Sequence, residues 1–165
     1  MSKFLFLVRH ADSEKNRMGR FSSDVVDDVL TDVGTREAVE LVTGLERIFE
    51  KLNVRDFALC SASSGRALAT ADAIASHFHC PVHSFGELNS IGSGNLAGQT
   101  EDWAKSHKSL YMEWLELYRL GVVSSYDIPR PEGAESLRDF EARINRSLSE
   151  VLSLCNETKI LVAHR

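Results

Sequence analysis

The sequence predicts an α/β protein, a three-layer sandwich in which a mostly parallel central sheet is flanked by helices. Short apolar runs at Phe4–Val8, Asp56–Cys60 and Lys159–Ala163 have the length and composition of buried strands. Between them run amphipathic stretches whose apolar residues recur at three- and four-residue spacing. Alternation of the two patterns favours layers of helix on sheet. Each apolar run ends abruptly in polar residues, and in open α/β sheets ligands collect beyond the carboxyl ends of the strands.

Phe4-Leu-Phe-Leu-Val8 is five apolar residues in a row, which predicts a strand buried on both faces, with Arg9 and His10 at its end. A histidine there can be a base, a metal ligand, a nucleophile or a structural residue, so alone it decides little. Residues 16–28 are polar, contain Gly and Ser, and read as a loop over the strand end. Thr31 or Asp32 then caps a helix with Ala38, Leu41, Val42, Leu45, Ile48, Phe49 and Leu52 on one buried face. After the Asp56–Cys60 strand, residues 61–65 form a loop. A second helix runs from Arg66 to about His79 and buries Ala67, Leu68, Ala71, Ile74, Ala75 and Phe78. Arg66 opens it, where free N–H groups and the helix dipole favour an anion.

His77, His79, Cys80 and His83 are close in sequence, but Pro81 breaks the register and nothing completes a ligand set, so they read as solvated and no metal is expected. Residues 88–98 form an irregular loop rich in Gly, Ser and Asn. Thr100 caps a single helix running towards Gly121, with Trp103, Leu110, Tyr111, Trp114, Leu115 and Tyr118 as a core stripe. The loop ending Pro129–Ser136 precedes a helix with Leu137, Phe140, Ile144, Leu148, Val151 and Leu152 inward. Lys159–Ala163 is the third strand and ends in His164. If the sheet is parallel, Arg9, His10, Arg66 and His164 arrive at one sheet edge.

A chain of 165 residues suits one domain. There is no apolar stretch of membrane-spanning length and no basic, apolar leader, so the expected location is the cytoplasm and no membrane partner is expected. Cys60, Cys80 and Cys155 are few and odd in number, which predicts buried thiols rather than a disulfide framework. The formal net charge of −5 argues against nucleic acid as a partner. A small anion needs only a few local cations, so the overall charge does not oppose a phosphate site.

The segment from Arg9-His10-Ala11 to Asn16 resembles the signature of the histidine phosphatase superfamily, which contains phosphoglycerate mutases and many phosphatases. The usual form there is Arg-His-Gly with an Asn five residues on, and Ala11 stands in the Gly position. Leu30-Thr31-x-x-Gly34 is similar to a common helix start in that family, with Glu37 where relatives often have Gln. Ser61-x-x-x-x-Arg66-Ala67-x-x-Thr70-Ala71 resembles its second arginine motif. Pro131-Glu-Gly-Ala-Glu-Ser136 is similar to its Pro-Gly-Glu-Ser-like stretch, with Ala134 extra. The strand ending in His164 matches its last required part. The family continues there into a turn and a helix, so the resemblance implies that residues 1–165 are a single domain lacking its C-terminal end.

What the resemblance implies for chemistry is a phosphatase acting through phosphohistidine on His10, with Arg9, Arg66 and His164 binding the transferring oxygens. Asn16 and Ser90 would help to bind substrate, and no cofactor is needed. A proton donor is expected in a Leu-x-Glu-x-x-x-Gly-x-x-x-Gly pattern, which Leu88–Gly98 fits with Ser90 in place of the acid. Glu87 is the other candidate donor. The expected substrate is a phosphorylated small molecule or a phosphoprotein, and oligomeric state is open. The rival readings are a phosphoglycerate mutase-type phosphotransferase, a weakly active phosphate-binding or regulatory module, and a metal hydrolase, which a chelator would inactivate. Shortness of the chain favours phosphatase over mutase, because little is left to enclose an intermediate against water.

Overall fold

The fold was read from a computed structural model, which describes residues 4–21 and 29–164. In chain order the strands are β1 (Phe4–Arg9), β2 (Phe57–Ala62), β3 (Val82–Phe85) and β4 (Thr158–Ala163). The α-helices are α1 (Glu14–Arg17), α2 (Asp32–Leu52), α3 (Gly65–Phe78), α4 (Glu101–His107), α5 (Ser109–Arg119) and α6 (Leu137–Ser153). Every pairing in the sheet is parallel, in the order β1-β4-β2-β3. This is the predicted α/β architecture. No helix among the described residues is long and apolar enough to cross a membrane.

The chain divides into two compact units, one from residues 1–14, 27–89 and 143–165, the other from 15–26 and 90–142. The first holds the sheet. Phe4, Phe6 and Val8 share a face with Ile160, Val162, Phe57 and Leu59, and the rings of Phe6 and Phe57 pack on Phe49 of α2. Phe78 of α3 closes edge-on against Phe57. On the other face Ala58, Cys60, Ala62 and Leu161 are buried, and α6 contributes Ile144, Leu148 and Val151 to the same core. Helix α2 starts as expected, Thr31 accepting from Gly34 N, and α3 stops at His79, which takes the left-handed conformation at φ 53°.

The first strand corrects an expectation. Among the described residues it is an edge strand with β4 as its neighbour, and Leu5 and Leu7 are 41 % and 72 % exposed. Among the described residues the continuous apolar run is thus covered on one face, where α2 packs on the Phe4, Phe6 and Val8 side. Ile48, Leu52 and Leu152, expected inward, are likewise exposed. Strand β3 escaped the sequence reading because four residues after Pro81 are too few to show a period. Cys60 is buried, but Cys155 is an exposed free thiol.

In the second unit, the helix expected from Thr100 to Gly121 is two helices, because Lys108 between them leaves helical geometry at φ −138°, ψ 47°. The aromatic stripe is consequently split. Ala104 and Met112 are buried with Leu96, whereas Leu110 and Tyr118 are exposed. Asn16, read as loop, lies in α1, while residues 22–28 of that stretch fall outside the described residues. Gly94 sits at φ +56° with Glu132 O and Ala134 N each 2.3 Å from where a Cβ would stand, so the 90–98 loop and the 131–135 loop interlock only through glycine. Arg130 Nη2 to Gly92 O (3.0 Å) and Gly92 N to Glu135 Oε2 (3.0 Å) complete that lock.

Candidate active site

The site lies within the first unit, at the carboxyl ends of the parallel strands. His10 follows β1, and its amide donates to Ala163 O at 3.0 Å, which continues the β1–β4 ladder by one rung and brings His10 beside His164. The two imidazole centroids are 5.2 Å apart. His10 is 7 % exposed, and its Nδ1 stands 2.8 Å from Ala11 O. A carbonyl only accepts, so Nδ1 carries the proton and Nε2 keeps its lone pair.

Arg66, 4 % exposed in the first turn of α3, reaches both rings. Its Nε donates to His10 Nε2 at 3.1 Å and its Nη2 lies 3.0 Å from His164 Nδ1. A guanidinium has donors alone, so both of those ring nitrogens accept. The proton of a neutral His164 ring is then on Nε2, 3.3 Å from Ser64 Oγ. Ser64 occupies the N-cap position of α3 but makes no side-chain cap bond. Its own N–H donates to Asn89 Oδ1 at 3.0 Å, and Asn89 Nδ2 donates to Ser63 Oγ at 2.8 Å.

The loop after His10 is clamped by both helices of its face. Ala11 N donates to Thr70 Oγ1 at 3.0 Å, and that hydroxyl donates to Arg66 O at 2.8 Å, tying the loop to the turn that carries the arginine. The next residue, Asp12, is held on every side by the start of α2. Its N–H donates to Glu37 Oε2 (2.8 Å), its carbonyl accepts from Thr31 N (3.1 Å), and its carboxylate accepts from Thr31 Oγ1 (2.8 Å). Gly34 allows that approach, since a Cβ there would lie 2.0 Å from Asp12 O.

Of the residues singled out from the sequence, the structure brings His10, Arg66 and His164 together. Arg9 is exposed, on the side of β1 that carries Leu5 and Leu7. The Glu87 carboxylate pairs with Arg146 Nη2 at 3.3 Å, and its backbone carbonyl accepts from Arg143. Asn16 and Ser90 belong to the second unit. Thr31, Glu37, Thr70, Ser64 and Asn89 were not marked as site residues, although Thr31 and Thr70 are named positions of the quoted motifs and Glu37 was noted where relatives often have Gln. Cys60, buried within β2, has its thiol pushed up to about 11 by that burial, which disfavours the thiolate. No group of three or more His, Cys, Asp or Glu among the described residues is arranged to hold a metal ion.

A protein of Hydrogenobacter thermophilus named "Putative phosphoserine phosphatase 2" is 29 % identical over 164 residues, covering 98 % of this chain and 73 % of its own. Among solved structures, the α-ribazole phosphatase of Shigella flexneri superposes with a TM-score of 0.76 at 24 % identity, over 98 % of this chain and 73 % of that one. A mycobacterial glucosyl-3-phosphoglycerate phosphatase in complex with VO3 gives 0.78 at 21 % identity, over 99 % and 76 %. At those identities the likeness shows the fold. The family model of the histidine phosphatase superfamily (branch 1) matches residues 5–165, and the chain belongs to that superfamily.

Proposed function

We propose that this chain is a phosphatase that passes the phosphoryl group of its substrate to His10 Nε2 and then to water. The observation that carries the reading is the hydrogen-bond pattern of His10, Nδ1 bonded to a carbonyl and Nε2 presented as an acceptor beside Arg66. A ring so held has one nitrogen fixed as a donor and the other kept unprotonated, and the Arg66 N–H that it accepts passes to a phosphoryl oxygen when the Nε2 lone pair attacks. The Nε2 lone pair forms the N–P bond while the P–O bond breaks with its electron pair leaving on oxygen, which takes up a proton. Arg66 neutralises and His164 orients the phosphoryl oxygens, the larger part of catalysis in such transfers, and Arg9, exposed at the strand end, would have to turn towards them to take part. Water then forms the new O–P bond, the N–P pair returns to Nε2, and the water proton passes to solvent.

The relatives are named for phosphoserine, α-ribazole and glucosyl-3-phosphoglycerate phosphatases, which supports phosphomonoester hydrolysis without choosing one alcohol. Ser90, at the position where the family resemblance expects an acid, favours substrates with good leaving groups. Trapping with a radiolabelled phosphodonor tests the proposal. An acid-labile, alkali-stable label that His10→Ala abolishes is expected. A mutase would pass that label to an alcohol instead of water, and absence of label across diverse donors would refute both enzyme readings.

A further inference from the structure

One peptide unit separates His10 from Glu37. Its carbonyl, Ala11 O, is 2.8 Å from His10 Nδ1, and its N–H, belonging to Asp12, donates to Glu37 Oε2 at 2.8 Å. Carbonyl and N–H are two ends of one conjugated amide, so what binds one end is felt at the other. A negative charge on the N–H side draws electron density towards the carbonyl oxygen and makes it a stronger acceptor, as hydrogen bonds in a chain polarise one another. The imidazole N–H therefore meets an oxygen whose basicity is raised by a carboxylate one amide away. In hydrolase triads a carboxylate touches the histidine N–H directly and stabilises the imidazolium that forms. Here a peptide is interposed.

That amide cannot turn to escape the role. Ala11 N is held by Thr70 Oγ1, Asp12 O by Thr31 N, and Gly34 closes on the Asp12 backbone. Glu37 is itself exposed, outside the buried face of α2, so packing does not explain its place. An amide side chain could accept the same N–H bond from Asp12. Only a carboxylate adds charge.

We propose that Glu37 is a positioning residue that acts on the reaction through the Ala11–Asp12 peptide, fixing the Nδ1–H tautomer of His10 and stabilising the positive charge the ring acquires when Nε2 bonds to phosphorus. The inference rests on the reading of His10 as phosphoryl acceptor. It has a kinetic signature that misplacement of His10 lacks. A group that stabilises the phosphorylated imidazolium speeds its formation and slows its loss to water, because the cation is the product of the first step and the reactant of the second. Removing the charge should move the two rates in opposite directions.

The test is rapid quench of the full chain with radiolabelled aryl phosphate, following formation of phosphoenzyme and, after a chase, its breakdown. For Glu37→Gln, formation should fall roughly 3- to 10-fold and breakdown should rise by a similar factor, on the scale by which charge-assisted hydrogen bonds exceed neutral ones. Inhibition by inorganic phosphate should be unchanged. Glu37→Ala, which loses the acceptor as well, should form phosphoenzyme more slowly still. Glu37→Gln keeps an acceptor for Asp12, so the test stands even if the alanine variant folds poorly. Label on His10 with the same breakdown rate in wild type and Glu37→Gln overturns the relay alone. Absence of label on His10 in the wild type overturns both the relay and the reading beneath it.

Discussion

Replacing Gly34 by alanine should damage stability and turnover together, although the change is one methyl group on a helix. The new Cβ would stand 2.0 Å from Asp12 O, 2.9 Å from its carbonyl carbon and 3.0 Å from its nitrogen, all backbone atoms, while ordinary contact begins near 3.4 Å. The loop after His10 must then withdraw by more than an ångström. Withdrawal breaks the bonds from Thr31 N to Asp12 O and from Asp12 N to Glu37, each worth about 0.5–1.5 kcal/mol net, and strain of about 1–3 kcal/mol remains if the loop stays. By either route the expected loss is about 1–3 kcal/mol, a sizeable share of the ~5–15 kcal/mol that holds a typical domain together. Gly44, in the same helix, meets nothing within 4 Å, so Gly44→Ala should gain about 0.5–1 kcal/mol from helix propensity. Urea midpoints for the pair, with turnover of an aryl phosphate alongside, measure the difference. A Gly34→Ala midpoint equal to or above that of Gly44→Ala would refute the account of the clamp.

Arg66→Ala should weaken inhibition by vanadate, an oxyanion of the kind bound to the mycobacterial neighbour, by about 10- to 150-fold, since a lost charge-assisted contact costs roughly 1.5–3 kcal/mol. Arg66→Lys should not restore it, because one ammonium cannot serve both ring positions; equal inhibition constants in all three proteins would sink the assignment. Ser90→Glu should raise turnover of alkyl phosphates more than of aryl phosphates, whereas Glu87→Gln, whose carboxylate is engaged by Arg146, should leave that ratio unchanged. The ratio measured for each variant decides between the two positions. Burial raises the Cys60 thiol to about 11 from an ordinary value of 9.0, so the unfolded chain loses that proton first as pH rises. Stability from this group is therefore complete below about pH 9 and lost towards pH 11. Urea midpoints at pH 8 and 10.5 should differ less in Cys60→Ala than in the wild type.

The sheet and the three site residues that meet were legible because each leaves a local trace. Apolar runs mark β1, β2 and β4, and a polar break at the end of each puts His10, Arg66 and His164 on one edge once the strands are parallel. What was not legible depends on neighbours in space. Whether Leu7 is covered turns on what lies over β1, not on the run that contains it. Lys108 breaks the helix after Thr100 although it is neither Gly nor Pro, so composition gave no warning. Glu37 was seen only as a departure from a familiar pattern. Its partner is an amide on another element, and a backbone N–H has no letter in the sequence.

The position of β4 has a consequence for how the molecule comes into being. The strand lies between β1 and β2, pairing Phe4 with Thr158 on one side and Phe57 with Thr158 on the other, and among the described residues β1 joins the sheet through it. A chain still being synthesised holds β1, β2 and β3 long before the strand that joins the first to the rest exists. Until β4 slides into that gap, the Ala163 carbonyl that receives the His10 amide is absent and the two histidines belong to separate pieces. Such long-range parallel pairing is intrinsically slow, since the entropy of closing the intervening chain is lost before any contact compensates for it. The meeting of His10 with His164 therefore waits on insertion of β4, so onset of turnover during refolding should report that step.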